Sequence, residues 1–200
     1  MASDLLYAYV NGLFPMADES GEIGWYAPDP RAIIPIDTYK PSKSLRPVLN
    51  KEQFDIEINK NFTEVMRQCS LPRFMGDGIW ISNELIDMYT QLHDMGFAHS
   101  VEAYEDGELV GGLYGVSVGG AFFGESMFHK VSNASKVAFH FLVERLRDRN
   151  FGLLDTQFIN DNVLRYGAIE IPKEDYTAML GDALALSTGF VDGGGKIAIE

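Results

Sequence analysis

Apolar positions change period along the chain, and each change predicts an element. Phe54, Ile56 and Ile58 alternate in "QFDIEINK", which predicts a strand. Leu85, Ile86, Tyr89 and Leu92 recur at helical spacing after Ser82, a good cap, and Gly96 ends that helix. "AHSVEAYE" and "ELVGGLYGVSVG" flank Asp106-Gly107, the composition of a tight hairpin turn, and "GGAFFGESMF" continues as the next antiparallel strand. "NASKVAFHFLVERLRDRN" predicts the strongest helix, with Val137, Phe141, Leu142 and Leu146 as its apolar stripe. Arg145, Arg147 and Arg149 suit the negative end of its dipole.

Weaker patterns fill in the rest. "SDLLYAYVNG" predicts a helix capped by Ser3 and ended by Gly12, and "SLRPVLNK" a short helix capped by Ser44. Further helices are expected over Phe62 to Ser70, near Val163–Tyr166, and from "IPKEDYTAML". "LFPMADESGEIGWYAPDPRAIIPID" is rich in Pro, Gly and Asp, so a structured loop region is expected, its aromatics buried. "LPRFMGDGIW" predicts a loop, and the Gly-rich "GFVDGGGKIAIE" a loose tail. Helices, a run of antiparallel strands, a long helix, a strand and more helices make an α+β fold with a mixed, mainly antiparallel sheet. Acyltransferases of the acetyltransferase type share this order.

Composition narrows the function classes. The 200 residues are 46% hydrophobic and 22% charged, enough for one ordinary domain, or one large domain with a small appendage. A net charge of -13 argues against a protein that coats DNA or RNA through its phosphates. Lys40, Lys43, Arg46 and Lys51 nevertheless cluster in one short segment. The acidity either favours cationic partners or only aids solubility. No apolar run approaches the roughly 18 residues of a membrane span, and the N-terminus lacks the pattern of a signal peptide. The single cysteine, Cys69, fits a reducing, cytoplasmic compartment.

Candidate chemistry concentrates in two stretches. In "LLDTQFINDN" a strand opens on Leu153 and Leu154, then places Asp155 and Gln157 on one face and runs into Asn160. A carboxylate beside an amide can receive a proton from an attacking amine and hold it in place. The plainer alternative is that these groups satisfy neighbouring backbone or cap the next helix. Glu125 sits among Phe122, Phe123, Met127 and Phe128, and alternation puts it on one face with Phe123 and Met127. Such a carboxylate is costly unless it is paired or lines a wet pocket, so it either binds an ammonium group or pairs with a lysine such as Lys136. Trp25, Tyr26 and Trp80 can stack on a base or plug a core edge. His93, His99 and Cys69 lack the spacing of a metal site, so no metal is expected.

Several long motifs then add up. "AYVNGLFPM", "WYAPDPRAIIP", "GIWIS", "YTQLHDMGFAHSVEAY", "ELVGGLYGV", "FFGESMFHKVSNASKVA", "LLDTQFINDN" and "YGAIEIPKEDY" follow in the order seen in the leucyl/phenylalanyl-tRNA–protein transferases, which the chain resembles over roughly residues 5–180. The resemblance implies transfer of leucine or phenylalanine (or methionine) from the 3′ end of a charged tRNA to the N-terminal amine of a protein beginning with Lys or Arg, which marks that protein for degradation. It implies a small N-terminal domain, residues 1–36, and an acetyltransferase-like catalytic domain, residues 37–200, with neither metal nor coenzyme A. Asp155 and Gln157 fall on the pair that activates the amine, and Glu125 on the carboxylate of the active pocket. Leu113, Phe122, Met127, Phe139, Leu142, Leu146 and Leu154 fall at the pocket for the amino-acid side chain, and Trp80 on an aromatic that packs on the terminal adenosine. Met16 stands where some members have a second stacking tryptophan, Asn162 where a histidine is frequent and Lys173 where arginine is frequent.

On this reading Asp155 accepts the proton, and Gln157 and Asn160 position the substrates. Two rivals remain open. A coenzyme-A-dependent N-acetyltransferase needs a Gly-rich pyrophosphate turn before the long helix, where this chain has "KVSNASK". A non-catalytic adaptor would use Glu125 and the acidic surface to bind basic N-termini.

Overall fold

Asp106 and Gly107 both adopt positive φ, 51° and 81°, and fold β5 (Ala98–Glu105) back onto β6 (Glu108–Val118). That is the turn geometry whose twist matches two paired strands. The computed structural model describes residues 2–18, 20, 22–72 and 81–193. β7 (Ala121–His129) follows antiparallel to β6, and β4 (Asp55–Ile58) pairs with β5. β8 (Leu153–Gln157) lies parallel to β7 after the crossover helix α5 (Ala134–Asp148). β3 (Arg31–Ile33) and β9 (Ile169–Ile171) extend the sheet, giving the order β4-β5-β6-β7-β8-β3-β9. The fold is α+β, with one parallel pair in an otherwise antiparallel sheet.

Each sheet face buries its own core. α5 lays Phe139, Leu142 and Leu146 on one face, against Leu113, Phe122 and Leu154. The other face carries α1 (Ala2–Val10), α3 (Phe62–Ser70), α4 (Asn83–Asp94) and α7 (Lys173–Leu184), with Leu5, Tyr9, Val65, Leu85, Tyr89, Tyr176 and Leu180 packed together. Ser82 caps α4 as its position predicts, accepting from the Leu85 N–H. β1 (Phe14–Ala17) and β2 (Ile23–Tyr26) pair as a separate two-stranded sheet. Among the described residues no helix is long and apolar enough to cross a membrane.

Several expectations need correction. The segment expected to be loop holds β1, β2 and β3, because tertiary pairing organises strands too short to show a period. Trp25 and Tyr26 lie on β2, and both are exposed. Ser3 lies inside α1 rather than at its cap. Leu45, not Ser44, occupies the cap position of α2 (Arg46–Asn50), and Ser42 Oγ accepts the Leu45 N–H. The short helix after β8 is α6 (Asp161–Leu164). Phe141 is exposed, and Phe139 and Val143 take its place in the buried stripe of α5. The tail is not loose throughout, since Phe190 is 1% exposed.

Candidate active site

Two local events part β7 from β8. Their parallel pairing runs through Ala121–Leu153, Phe122–Leu154 and Phe123–Asp155 and goes no further. Across β6, Gly115 partners Gly124 and Tyr114 partners Ser126, so Glu125 is an extra residue in a bulge. The bulge reverses the alternation beyond it. Met127 therefore packs with Phe122 in the α5-side core, while Phe123 belongs to the opposite core. This corrects the simple alternation that put Glu125, Phe123 and Met127 on one face.

Gln157 closes the mouth of the split. Its side-chain Nε2 donates to Glu125 Oε1 at 3.0 Å. Its backbone holds φ at 64°, a left-handed conformation that a non-glycine residue adopts at a cost of about 1–3 kcal/mol. The N–H of Gln157 donates to Asp155 Oδ1 at 2.8 Å, which fixes that turn.

Glu125 is half-buried at the bulge, and its partners are polar rather than cationic. Tyr89 Oη donates to its Oε2 at 3.2 Å, and the Tyr9 hydroxyl contacts that of Tyr89. Burial pushes the Glu125 carboxyl up to about 7; the Tyr9 and Tyr89 hydroxyls oppose the rise, and the Asp155 charge adds to it. Burial also raises both tyrosines well above their ordinary value, so they stay protonated at neutral pH. Lys136 bonds Asn133 instead, at 3.1 Å.

Asp155 is held by more partners than the sequence suggests. It is fully buried, and its carboxylate accepts from Arg31 Nε and Nη2, at 3.0 and 2.8 Å, from Tyr176 Oη at 2.7 Å and from the Gln157 N–H. Arg31, 1% exposed, also donates to the Gly12 carbonyl at 2.9 Å, and its guanidinium lies over the rings of Phe14 and Tyr176, 5.0 and 4.6 Å from their centroids. Burial alone lowers the Arg31 pKa, but the bonds and charge of Asp155 outweigh it and the net shift is upward. A carboxylate so committed anchors the strand end. Asn160 is likewise committed, since it caps α6 by accepting from the N–H groups of Asn162 and Val163, at 2.9 and 3.1 Å.

The seven apolar candidates do come together. Leu113, Phe122, Phe139, Leu142, Leu146 and Leu154 are buried in one cluster, and Met127 packs at its edge, where Asn162 Nδ2 and Tyr166 Oη approach its sulfur at 3.4 and 3.6 Å. Met16 is half-buried on β1 and packs with the opposite core. Trp80 lies outside the described residues. Among the described residues no cluster of three or more His, Cys, Asp or Glu is arranged to hold a metal ion.

Sequence reasoning missed Arg31, Tyr9, Tyr89 and Tyr176. Arg31 carries a signal, a lone charge opening the apolar run "RAIIP". Tyr9 and Tyr89 carry none, because their spacing marks them as ordinary core residues.

Comparison with known proteins identifies the relatives of this arrangement. The family model described as leucyl/phenylalanyl-tRNA protein transferase matches residues 33–181, and that of the family's N-terminal domain matches residues 2–29. The chain belongs to the leucyl/phenylalanyl-tRNA protein transferase family. A member from Chlorobaculum tepidum is 51% identical over 189 residues, 94% of this chain and 97% of the relative. Another, from Gloeobacter violaceus, is 51% identical over 187 residues, 93% and 95% of the two chains. Among solved structures, L-PGS from Bacillus licheniformis shares the fold at a TM-score of 0.51 and 13% identity, over 78% of this chain and 65% of that one. Within the transferase family, the split between β7 and β8 is the candidate active site.

Proposed function

We propose that this chain moves an aminoacyl group from aminoacyl-tRNA to the N-terminal amine of a protein, with leucine, phenylalanine or methionine as donor and Lys or Arg as the acceptor's first residue. Family membership supports the reaction. The observation that carries the site assignment is the Gln157–Glu125 hydrogen bond, 3.0 Å long, across the parted ends of β7 and β8.

An aminoacyl ester is already activated, so the enzyme's work is placement, proton transfer and charge stabilisation. The amine nitrogen attacks the ester carbonyl carbon. The C–N bond forms, the bond from that carbon to the ribose oxygen breaks, and the amine's proton must reach the departing oxygen. Glu125, whose carboxyl is pushed up to about 7, suits both acceptance and return of that proton. Gln157 holds the carboxylate in place, and Asp155 with Arg31 holds Gln157. The cluster around Phe122, Phe139 and Leu142 takes the donor side chain. Such a pocket discriminates single methylenes by only about 1–3 kcal/mol, so it accepts several apolar residues. A negative carboxylate and a net charge of -13 favour a cationic acceptor. Trp80 and Met16 are assigned to the terminal adenosine. A reaction fed by charged tRNA belongs to the cytoplasm.

The test is incubation with labelled leucyl-tRNA and peptides that differ only in their first residue. Label is expected in peptides starting with Lys or Arg. Label in none of the peptides contradicts the proposal.

A further inference from the structure

The end of the α5-side core away from the split is closed by a residue that lies beyond residues 33–181, the stretch matched by the transferase family. Phe190 is 1% exposed, with its ring centroid 5.1 Å from that of Phe122, 4.9 Å from that of His99 and 6.5 Å from that of Phe151. Phe122 has no room on the side of β6. Its ring lies over Gly115, where a Cβ would stand 2.5 Å from Phe122 Cε1. Phe190 therefore fills the space into which Phe122 would otherwise retreat.

The plug is held firmly. Arg145 Nε donates to the Phe190 carbonyl at 2.8 Å, and its guanidinium lies 5.2 Å from the ring centre. Thr188 Oγ1 donates to the Arg149 carbonyl at 2.7 Å, and Arg149 pairs with Asp192 at 2.8 Å. Behind the plug, burial lowers the His99 pKa to about 3, so the ring is neutral. Asn59, whose Oδ1 accepts the Ser100 N–H, turns its amide nitrogen to His99 Nδ1 at 3.0 Å. The wall behind Phe122 is thus uncharged on the His99 side.

We propose that Phe190 is a specificity-determining residue: by backing Phe122 it sets how deeply a donor side chain enters the pocket. This rests on the transfer reaction proposed above and on Phe122 lining its pocket. Phe190 touches no substrate and acts through Phe122. Removing its ring lets Phe122 retreat and favours larger donors, whereas enlarging it pushes Phe122 forward and favours smaller ones.

The experiment is a competition between equimolar phenylalanyl-tRNA and leucyl-tRNA for one Lys-starting peptide, read as the ratio of the two products. The ratio is independent of how much enzyme is folded. Phe190→Ala is expected to raise the phenylalanine-to-leucine ratio by about tenfold, the scale of a methylene-sized change in an apolar pocket. Phe190→Leu should raise it less, and F190W should lower it. If Phe190→Ala does not fold, Phe190→Leu and F190W still give opposite shifts. A wild-type ratio in the active variants overturns the proposal while leaving the transfer reaction standing. Wild-type protein that transfers neither amino acid overturns both.

Discussion

Gln157 reaches Glu125 with its side-chain amide at 3.0 Å, although the strands that carry them stop pairing at Phe123 and Asp155. A bulge on one strand and a left-handed residue on the other create that relationship. The contact bridges the two strands just past the point where their pairing stops.

Gln157→Gly separates function from strain. Glycine adopts positive φ without penalty, so the variant should melt at or above the wild-type temperature. It loses the amide that holds Glu125, and transfer should fall by about 10²-fold, as for loss of one positioned donor. Thermal melts and single-turnover transfer on the same preparations check both halves.

Glu125 should impose a pH profile. With its carboxyl pushed up to about 7, the form able to accept a proton fills as pH rises through that value. The acceptor's own amine titrates near about 7.7–8, so wild type should show two inflections and Glu125→Gln one, at a strongly reduced rate. The Tyr89 hydroxyl lowers the Glu125 pKa, so Tyr89→Phe should move the lower inflection to higher pH. Rate measurements across pH with a single peptide check this.

The same shift has a sign in stability. The folded-state pKa of Glu125 lies above its unfolded value, so between about pH 4.5 and 7 the native state binds more protons than the unfolded chain. Its contribution therefore favours folding at the acid end of that window and is lost as pH rises to 7. Denaturant unfolding of wild type and Glu125→Gln should differ in slope over this window, with the variant flatter.

Arg31 and Asp155 are buried to 1% and 0% exposure, so breaking the pair should unfold more than it inactivates. Arg31→Met or Asp155→Leu alone should cost about 3–5 kcal/mol, because each strands the partner's charge. The double variant should recover much of that loss without recovering transfer. Urea unfolding of the two single variants and the double variant checks this.

Much of the framework was legible in the sequence because its elements are long and periodic. α4 with its Ser82 cap, the Asp106-Gly107 hairpin and the strand from Leu153 needed only local chemistry. β1, β3 and β9 are three or four residues each, below the length at which a period shows, and the pairing of β3 with β8 and β9 is decided by distant partners. In the site, Asp155, Gln157 and Glu125 were visible as polar groups in apolar strands. Their division of labour was not, because it depends on Arg31, which pairs with Asp155 across 124 positions of sequence. Nor does spacing reveal a bulge, so simple alternation puts Met127 on the wrong face. Phe190 was hidden by the glycines around it.

The most direct test of the site is single-turnover transfer from labelled leucyl-tRNA to a Lys-starting peptide, comparing wild type with Gln157→Gly and Glu125→Gln. Rapid transfer is expected from wild type and a fall of about 10²-fold in each variant, both folded by melting temperature. Near-wild-type rates in both folded variants would contradict it.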